Sequence, residues 1–366
     1  MTEPSAGLEQ EETEHDVDLI HECVVKMAKE ISDFMDITPD KQRMDSLMVA
    51  ANIRNLSLLE LFYTCVSNLC KIMNERGTKI PDEQHHYIEK DDYNKCIYHK
   101  RDMDATERNV VVMKDADILI KICDSTGDFD DTSEYQLLIR LLKERTIIDD
   151  DGSRRLRQKE EVENPSEVLL NPSDPEATFR YKAGGRHLGY VGNVVEAVGE
   201  KSSLVIVYDY QQNTYADNQF MKDYLNEKKD FSDGSFIVAD GAYSGEENSR
   251  LASEHNLKLV TTNFTGRKPD EIYADFVFID DGKYLIKCKN NRVPEDCIYD
   301  PGNERSVAYF RISDCEGCPY KERCQSRFLK TRVRKEVSWK SVGRAKQLQY
   351  MQTEEFSEYA KFRNGV

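Results

Sequence analysis

Long apolar runs are missing from this sequence. No stretch approaches the ~20 apolar residues of a membrane span, and the mean hydropathy is −0.69. Basic residues are missing from its start: the first twenty positions carry seven acids and no Lys or Arg. That is the opposite of the basic leader of an exported protein. The sequence therefore predicts neither a membrane protein nor a conventionally secreted one, and points to the cytoplasm. Positive charge is also scarce, with 51 Lys and Arg against 68 Asp and Glu and a net charge of −17. So acidic a chain is a poor first guess for a nucleic-acid binder, because phosphate contacts need Lys and Arg. No internal repeat is visible. What is present is length: 366 residues suffice for two or three domains and a sizeable core.

Residues 1–16 are acidic and poor in hydrophobics, and read as a disordered tail. From 17 to 148 the texture is mainly helical. Val17, Ile20, Val24, Met27, Ile31 and Phe34 fall at helical spacing. DSLMVAAN (45–52) reads as a strand or a strand-to-helix transition, 56–73, 110–123 and 134–148 as helices, and 78–109 as irregular. Residues 149–169 form a charged linker. From 170 to 287 strands alternate with helices, which predicts a sheet covered by helices. Within it, Asp-Asp-Gly at 280–282 splits an apolar alternation into a hairpin. Residues 288–324 are rich in cysteine, and 325–346 are basic.

Cys23, Cys65, Cys70, Cys96 and Cys123 read as thiols of a reducing compartment, most of them in apolar helices. The last five cysteines crowd into 37 positions. Cys288, Cys315, Cys318 and Cys324 give C-x26-C-x2-C-x5-C, with Cys297 spare. Two Cys two residues apart form half of a tetrahedral Zn²⁺ site, and two more complete it. No His lies in this segment, so the alternatives are an all-thiolate zinc site and four reduced thiols.

Between 325 and 346 eight basic residues stand against Glu336 alone: Arg327, Lys330, Arg332, Arg334, Lys335, Lys340, Arg344 and Lys346. The sole tryptophan, Trp339, sits among them. This is either a phosphate-contacting surface or an edge strand guarded by charge. Residues 301–366 carry a net +6 and the rest of the chain −23, so the overall acidity does not exclude DNA. Arg180, Lys182, Arg186, His187 and the Arg267-Lys268 loop are further candidates, with His187 read as a hydrogen-bonded loop residue.

SFIVAD (235–240) reads as a buried strand ending in Asp240. An acid there points into the crevice where open α/β sheets bind ligands, or it caps the following helix. IVADGAYSGEEN (237–248) resembles the second-aspartate motif of DDE transposases of bacterial insertion sequences. Other segments resemble the same family in the same order. NPSDPEATFRYKAGGRHLGYVGNVVEA (171–197) is similar to its block leading into core strands, and NTYADNQF (213–220) to its turn before a helix. TGRKPDE (265–271) is similar to the loop after the next strand, FRISDCEGCPYKERC (310–324) to its cysteine insert, and RNGV (363–366) to the Arg-x-x-Val before the last glutamate.

The resemblance implies a ribonuclease H-like mixed sheet flanked by helices, with a zinc-ribbon-like insert. It implies two-metal phosphoryl transfer on Mg²⁺ held by three carboxylates. Asp240 is the second of these by match. Asp45 in MDSLMVAAN is the choice for the first, against a helix-capping role, with Asp174 as runner-up although Asp-Pro at 174–175 reads as a turn. The family's Arg-x-x-x-Glu spacing from Arg363 puts the glutamate one residue beyond Val366, and only 44 residues precede Asp45. The expectation is thus a catalytically impaired fragment of a bacterial, nucleoid-associated transposase. Its implied partners are the terminal inverted repeats and further copies of itself on DNA, with no membrane and no nucleotide cofactor. The alternative is a non-catalytic remnant that binds DNA or an intact transposase as a regulator. A different ribonuclease H-like metallonuclease fits the cysteine insert and the Thr-Gly-Arg-Lys loop less well.

Overall fold

The computed structural model describes residues 19–99, 104–182, 184–227 and 231–363. In chain order it begins with α1 (Leu19–Met35), β1 (Lys41–Ala50), α2 (Leu58–Glu75), the single turn α3 (Asp92–Asn94), α4 (Ala105–Thr126) and α5 (Ser133–Arg145). There follow β2 (Thr146–Ile148), β3 (Arg154–Leu156), β4 (Thr178–Lys182), β5 (Gly185–Val198), β6 (Ser203–Gln212), α6 (Asp217–Glu227), β7 (Phe236–Ala239), α7 (Glu246–Glu254) and β8 (Lys258–Thr261). Next come β9 (Val277–Ile279), β10 (Tyr284–Lys287), β11 (Asp296–Asp300), β12 (Arg305–Phe310), α8 (Ile312–Glu316) and α9 (Lys321–Cys324). The last elements are β13 (Arg327–Phe328), β14 (Val333–Val337), α10 (Trp339–Tyr350) and α11 (Glu354–Ala360). The architecture is mixed α/β, as expected, and no described helix is long and apolar enough to cross a membrane.

The chain divides into two compact units. One takes the chain up to Asp45, Asn193–Asp209 and everything from Ala216 onward; the other takes Ser46–Gly192 and Tyr210–Tyr215. In the first unit β5, β1, β7 and β8 lie side by side in that order, and β6 pairs with β5. The pairs β1/β7 and β7/β8 are parallel. Every residue of β7 is buried, as a strand covered on both faces must be. On one face Tyr224 of α6 donates to Gln42 Oε1 at 2.7 Å. On the other, Phe236 meets the rings of Tyr359 and Phe362, so α11 and the turn after it cover that side. The same unit carries a second sheet, ordered β11–β12–β14–β13. Its core joins Phe310, Val333 and Val337 to Leu285 of β10 and Val342 of α10. The β9–β10 hairpin turns at Asp280, Asp281 and Gly282, all at positive φ, as the Asp-Asp-Gly signal predicts.

The second unit is mainly helical. Phe62, Val66, Leu69 and Met73 of α2 pack with Leu119 of α4 and Leu138 of α5. Cys65, Cys70 and Cys123 are buried among them, and burial pushes the thiols of Cys65 and Cys70 up to about 12. Cys23 and Cys96 lie outside that core: the first is exposed and the second half-buried. The charged linker is ordered, because its opposite charges find one another. The β2–β3 hairpin forms across it, and Arg155 is held by Asp149 at 3.0 Å and Glu161 at 2.8 Å. The irregular 78–109 stretch contains a 3₁₀ turn (Asp82–Ile88), α3 and a π turn (Lys95–His99). The expected disordered tail, 1–16, lies outside the described residues.

Helix α2 starts at a capping box: Glu60 N–H donates to Ser57 Oγ at 3.3 Å and Ser57 N–H to Glu60 Oε2 at 2.7 Å. Burial pushes the Glu60 carboxyl up, but bonds from Ser57 and Tyr93 and the charge of Arg54 outweigh it and hold it down at about 2. A carboxyl held below its unfolded value of 4.5 stabilises the fold fully above that pH and loses its contribution as pH falls toward 2. Ser57→Ala is expected to cost about 1 kcal/mol in denaturant titration at pH 7. Glu60→Gln is expected to be less stable than wild type at pH 7, with the gap closing as pH falls from 4.5 to 2. A gap independent of pH would contradict this account.

Candidate functional site

Asp45 and Asp240 are 195 positions apart in sequence, one on β1 and the other directly after its partner strand β7. The parallel β1/β7 pairing sets Lys41 opposite Phe236, Gln42 opposite Ile237 and Arg43 opposite Val238. Carried on by two residues, the same register sets Asp45 beside Asp240 at the carboxyl end of β7. Because side chains alternate along a strand, Asp45 shares its face with Lys41 and Arg43, and Asp240 shares the same face with Phe236 and Val238. That is the face covered by α11. Asp45 is therefore a strand residue, and no helix begins beside it for it to cap. Arg363, in the 3₁₀ turn after α11, pairs with Asp45 Oδ2 at 2.8 Å.

Asp240 directly follows β7 and takes the capping role: its Oδ1 accepts the Ala242 N–H at 2.7 Å at the head of a 3₁₀ turn. The residues after it fix that turn. A Cβ on Gly241 would lie 2.1 Å from the carbonyl oxygen of Asn263, so only glycine lets β7 leave the sheet so close to the strand-end loop. Tyr243 is fully buried and donates to Asn193 Oδ1 at 2.7 Å. Asn248 Nδ2 donates to the Tyr243 carbonyl at 3.0 Å. Asp174 sits in a turn closed by the Asp174 N–H on Asn171 O at 3.2 Å, as its Asp-Pro sequence suggests.

Cys288, Cys315, Cys318 and Cys324 converge: all four line one pocket, with Phe276 and Phe310. Cys288 follows β10, Cys315 lies in α8, Cys318 in the turn after it, and Cys324 closes α9. Cys297 is on β11, with its sulfur 3.0 Å from Ser306 Oγ, and is no part of the set. Burial pushes the Cys315 thiol up to about 11, and Cys324, Cys288 and Cys318 add to the rise. The four sulfurs share this pocket, but the metal-competent set whose ligand atoms lie within 4.8 Å of one another among the described residues is a different one, His86, Asp92 and Cys96.

The basic candidates separate into exposed and occupied groups. Arg327, Lys330, Arg332, Lys346, Arg267 and Lys268 are exposed. Arg332 lies 3.6 Å over the Tyr309 ring and Lys346 5.9 Å from that of Trp339. Arg334 pairs with Glu336 at 2.9 Å, and Lys340 pairs with Glu304. Arg344 braces the Arg267–Lys268 loop by donating to Thr265 O at 2.6 Å and Arg267 O at 3.1 Å. Lys335 corrects the expectation of a uniformly basic surface. It alternates inward between Val333 and Val337 and is 3 % exposed. Its Nζ donates to Tyr273 Oη at 2.9 Å and to the Cys324 carbonyl, and burial lowers its pKa. A lysine so placed braces the cysteine pocket and contacts no phosphate. His187 makes the loop bond foreseen, 3.3 Å from the Lys182 carbonyl. Arg186 stacks on Phe179 at 4.4 Å.

One group went unread in the sequence. His86, Asp92 and Cys96 place one ligand atom each within 4.8 Å of one another, a set able to hold a metal ion. His86 Nδ1 lies 2.8 Å and Cys96 Sγ 3.3 Å from Asp92 Oδ2. The buried Tyr63 hydroxyl donates to the same oxygen at 2.6 Å. Burial pushes Asp92 up, but the bonds from Tyr63, His86 and Cys96 prevail and hold it below its ordinary value. The available signal was the i,i+4 spacing of Asp92 and Cys96 after a His-His pair.

No protein-family model, curated protein or solved structure matches this chain.

Proposed function

We propose that this chain carries the phosphoryl-transfer centre of a DDE transposase on a ribonuclease H-like core. Asp45 and Asp240 would be two of its three carboxylates. The observation that supports this reading is the β1/β7 pairing, whose register, continued two residues past Arg43 and Val238, would set two acids chosen from separate sequence motifs side by side. The mixed sheet with helices on both faces is consistent with it. Two carboxylates on adjacent strands repel unless a cation sits between them, and Mg²⁺ suits an oxygen-only pair. When bound, such metals activate a water or 3′-hydroxyl and stabilise the leaving oxygen. The residues of the chain hold and orient. Asp240 is locked by Ala242 and Gly241, and Asp45 is held opposite Arg363. Arg327, Lys330, Arg332, Lys346, Arg267 and Lys268 would take DNA phosphates at the terminal inverted repeats. Cys288, Cys315, Cys318 and Cys324 would hold a structural Zn²⁺. The protein would act as a homo-oligomer on DNA in the bacterial cytoplasm and nucleoid.

The third carboxylate in this reading is the glutamate that the family's spacing places four positions after Arg363. The Arg363–Asp45 ion pair favours a second reading for the polypeptide 1–366. With Asp45 already neutralised, it would bind DNA or an intact transposase as a regulator.

A chain extended to the third carboxylate is expected to nick plasmid carrying the element's ends with Mg²⁺ or Mn²⁺, and Asp45→Asn or Asp240→Asn should lower that rate by roughly 100-fold or more. Turnover by the extended chain that survives Asp240→Ala would sink the proposal. In gel shifts on the terminal repeat, Lys330→Ala with Arg332→Ala should flatten the salt dependence by about two phosphate contacts. An unchanged slope would remove this segment from the DNA surface.

A further inference from the structure

We propose that His86, Asp92 and Cys96 form a Zn²⁺ site with an open fourth position, separate from both metal sites considered above. The inference does not rest on the transposase reading. It starts from donor chemistry: one imidazole nitrogen, one carboxylate oxygen and one thiol sulfur make a mixed set that borderline cations such as Zn²⁺ accept. Tetrahedral zinc with bonds of about 2.0 to 2.3 Å holds its ligand atoms roughly 3.4–3.6 Å apart. Here the nitrogen and sulfur lie 2.8 and 3.3 Å from the shared carboxylate oxygen and within 4.8 Å of each other, so side-chain shifts of roughly half an ångström or more admit the ion. Binding would release protons to solvent as the ligands deprotonate, the thiol proton of Cys96 first among them.

The surroundings have the form of a supported site. Tyr63 donates to the Asp92 carboxylate and fixes its orientation, as outer-shell partners of metal ligands do. Cys96 lies in a π turn, an irregularity often kept for function. Arg108 braces that turn through Nη1, which donates to the carbonyls of Cys96 at 3.2 Å and Ile97 at 3.0 Å.

An independent observation concerns the fourth position. His86, Cys96, Tyr63 and Arg108 line one cavity of about 60 Å³, room for a water or two. Arg108 Nε is buried and has no hydrogen-bond partner among the described residues. A buried donor without an acceptor calls for an oxygen. A water on the open metal position, facing that cavity, supplies one. A hydrogen-bonded hub around Asp92 would satisfy His86, Cys96 and Tyr63 and leave the Arg108 Nε to a free water in the cavity, so the metal titration below decides between the two.

The test uses the full chain, stripped of metal under reducing conditions and titrated with Co²⁺ and then Zn²⁺. One equivalent of Co²⁺ is expected to give a near-ultraviolet thiolate band that persists in Cys318→Ser and is lost in both Cys96→Ser and His86→Gln. Tyr63→Phe should weaken that equivalent about 10- to 100-fold. Circular dichroism would establish that each variant keeps its helices; should Cys96→Ser fail to fold, His86→Gln and Tyr63→Phe carry the test. Cobalt stoichiometry unchanged by His86→Gln and Tyr63→Phe in folded protein would overturn the site and leave the hub. Loss of a separate equivalent in Cys318→Ser bears on the four-cysteine pocket alone.

Discussion

The parallel pairing of β1 with β7 is the constraint on which the candidate centre depends. Strand side chains alternate, so a slip of one residue in this register would send Asp45 or Asp240 to the opposite face. Hydrophobic burial forbids the slip. Phe236, Ile237, Val238 and Ala239 are all buried, and Gln42 and Met44 of β1 are fully buried on the face away from Asp45. Moving β1 by one position would put Arg43 and Asp45 where Gln42 and Met44 now sit. Ionised groups placed there would lose their solvation without compensation. The positions of the two acids are thus a by-product of apolar packing beneath them.

Much of this was legible in the sequence. The buried strand before Asp240, the glycine after it and the Asp-Asp-Gly hairpin announce themselves by local chemistry. Asp45 was readable only in part: KQRMDSLMVA has no strict alternation, and Leu47 and Met48 suit a helix as well as a strand. The pairing with β7, 195 positions away, settles the choice, and no local pattern carries such a contact. Lys335 was hidden for a different reason. Alternation in Val333-Arg334-Lys335-Glu336-Val337 assigns it inward, yet a lysine on the inner face contradicts the usual exposure of that residue. It is tolerated because Tyr273 and the Cys324 carbonyl receive its ammonium.

The His86, Asp92 and Cys96 group was hidden most completely. Its members come from a 3₁₀ turn, a single helical turn and a π turn, so no one period connects them. A scan for amphipathic helices or alternating strands passes over such a stretch as irregular. Irregular backbone inside a packed helical unit nonetheless has to place its polar groups somewhere. Here they converge on one carboxylate.

The acidity of the chain becomes intelligible through these sites. A net −23 outside residues 301–366 would strain any compact state unless acids were matched locally. Asp149 and Glu161 share Arg155, and Asp45 takes Arg363. The last of these differs from the first two. Arg155 closes a linker onto itself, with its charges spent where they stand. Arg363 comes from a turn at the end of α11 and reaches across to a strand, so the pair can open without unfolding the sheet. Its side chain is 22 % exposed against 48 % for Asp45, an ion pair open enough to water for its attraction to be modest. A divalent cation between Asp45 and Asp240 offers more charge to two carboxylates than one guanidinium offers to one. The guanidinium therefore neutralises Asp45 without locking it.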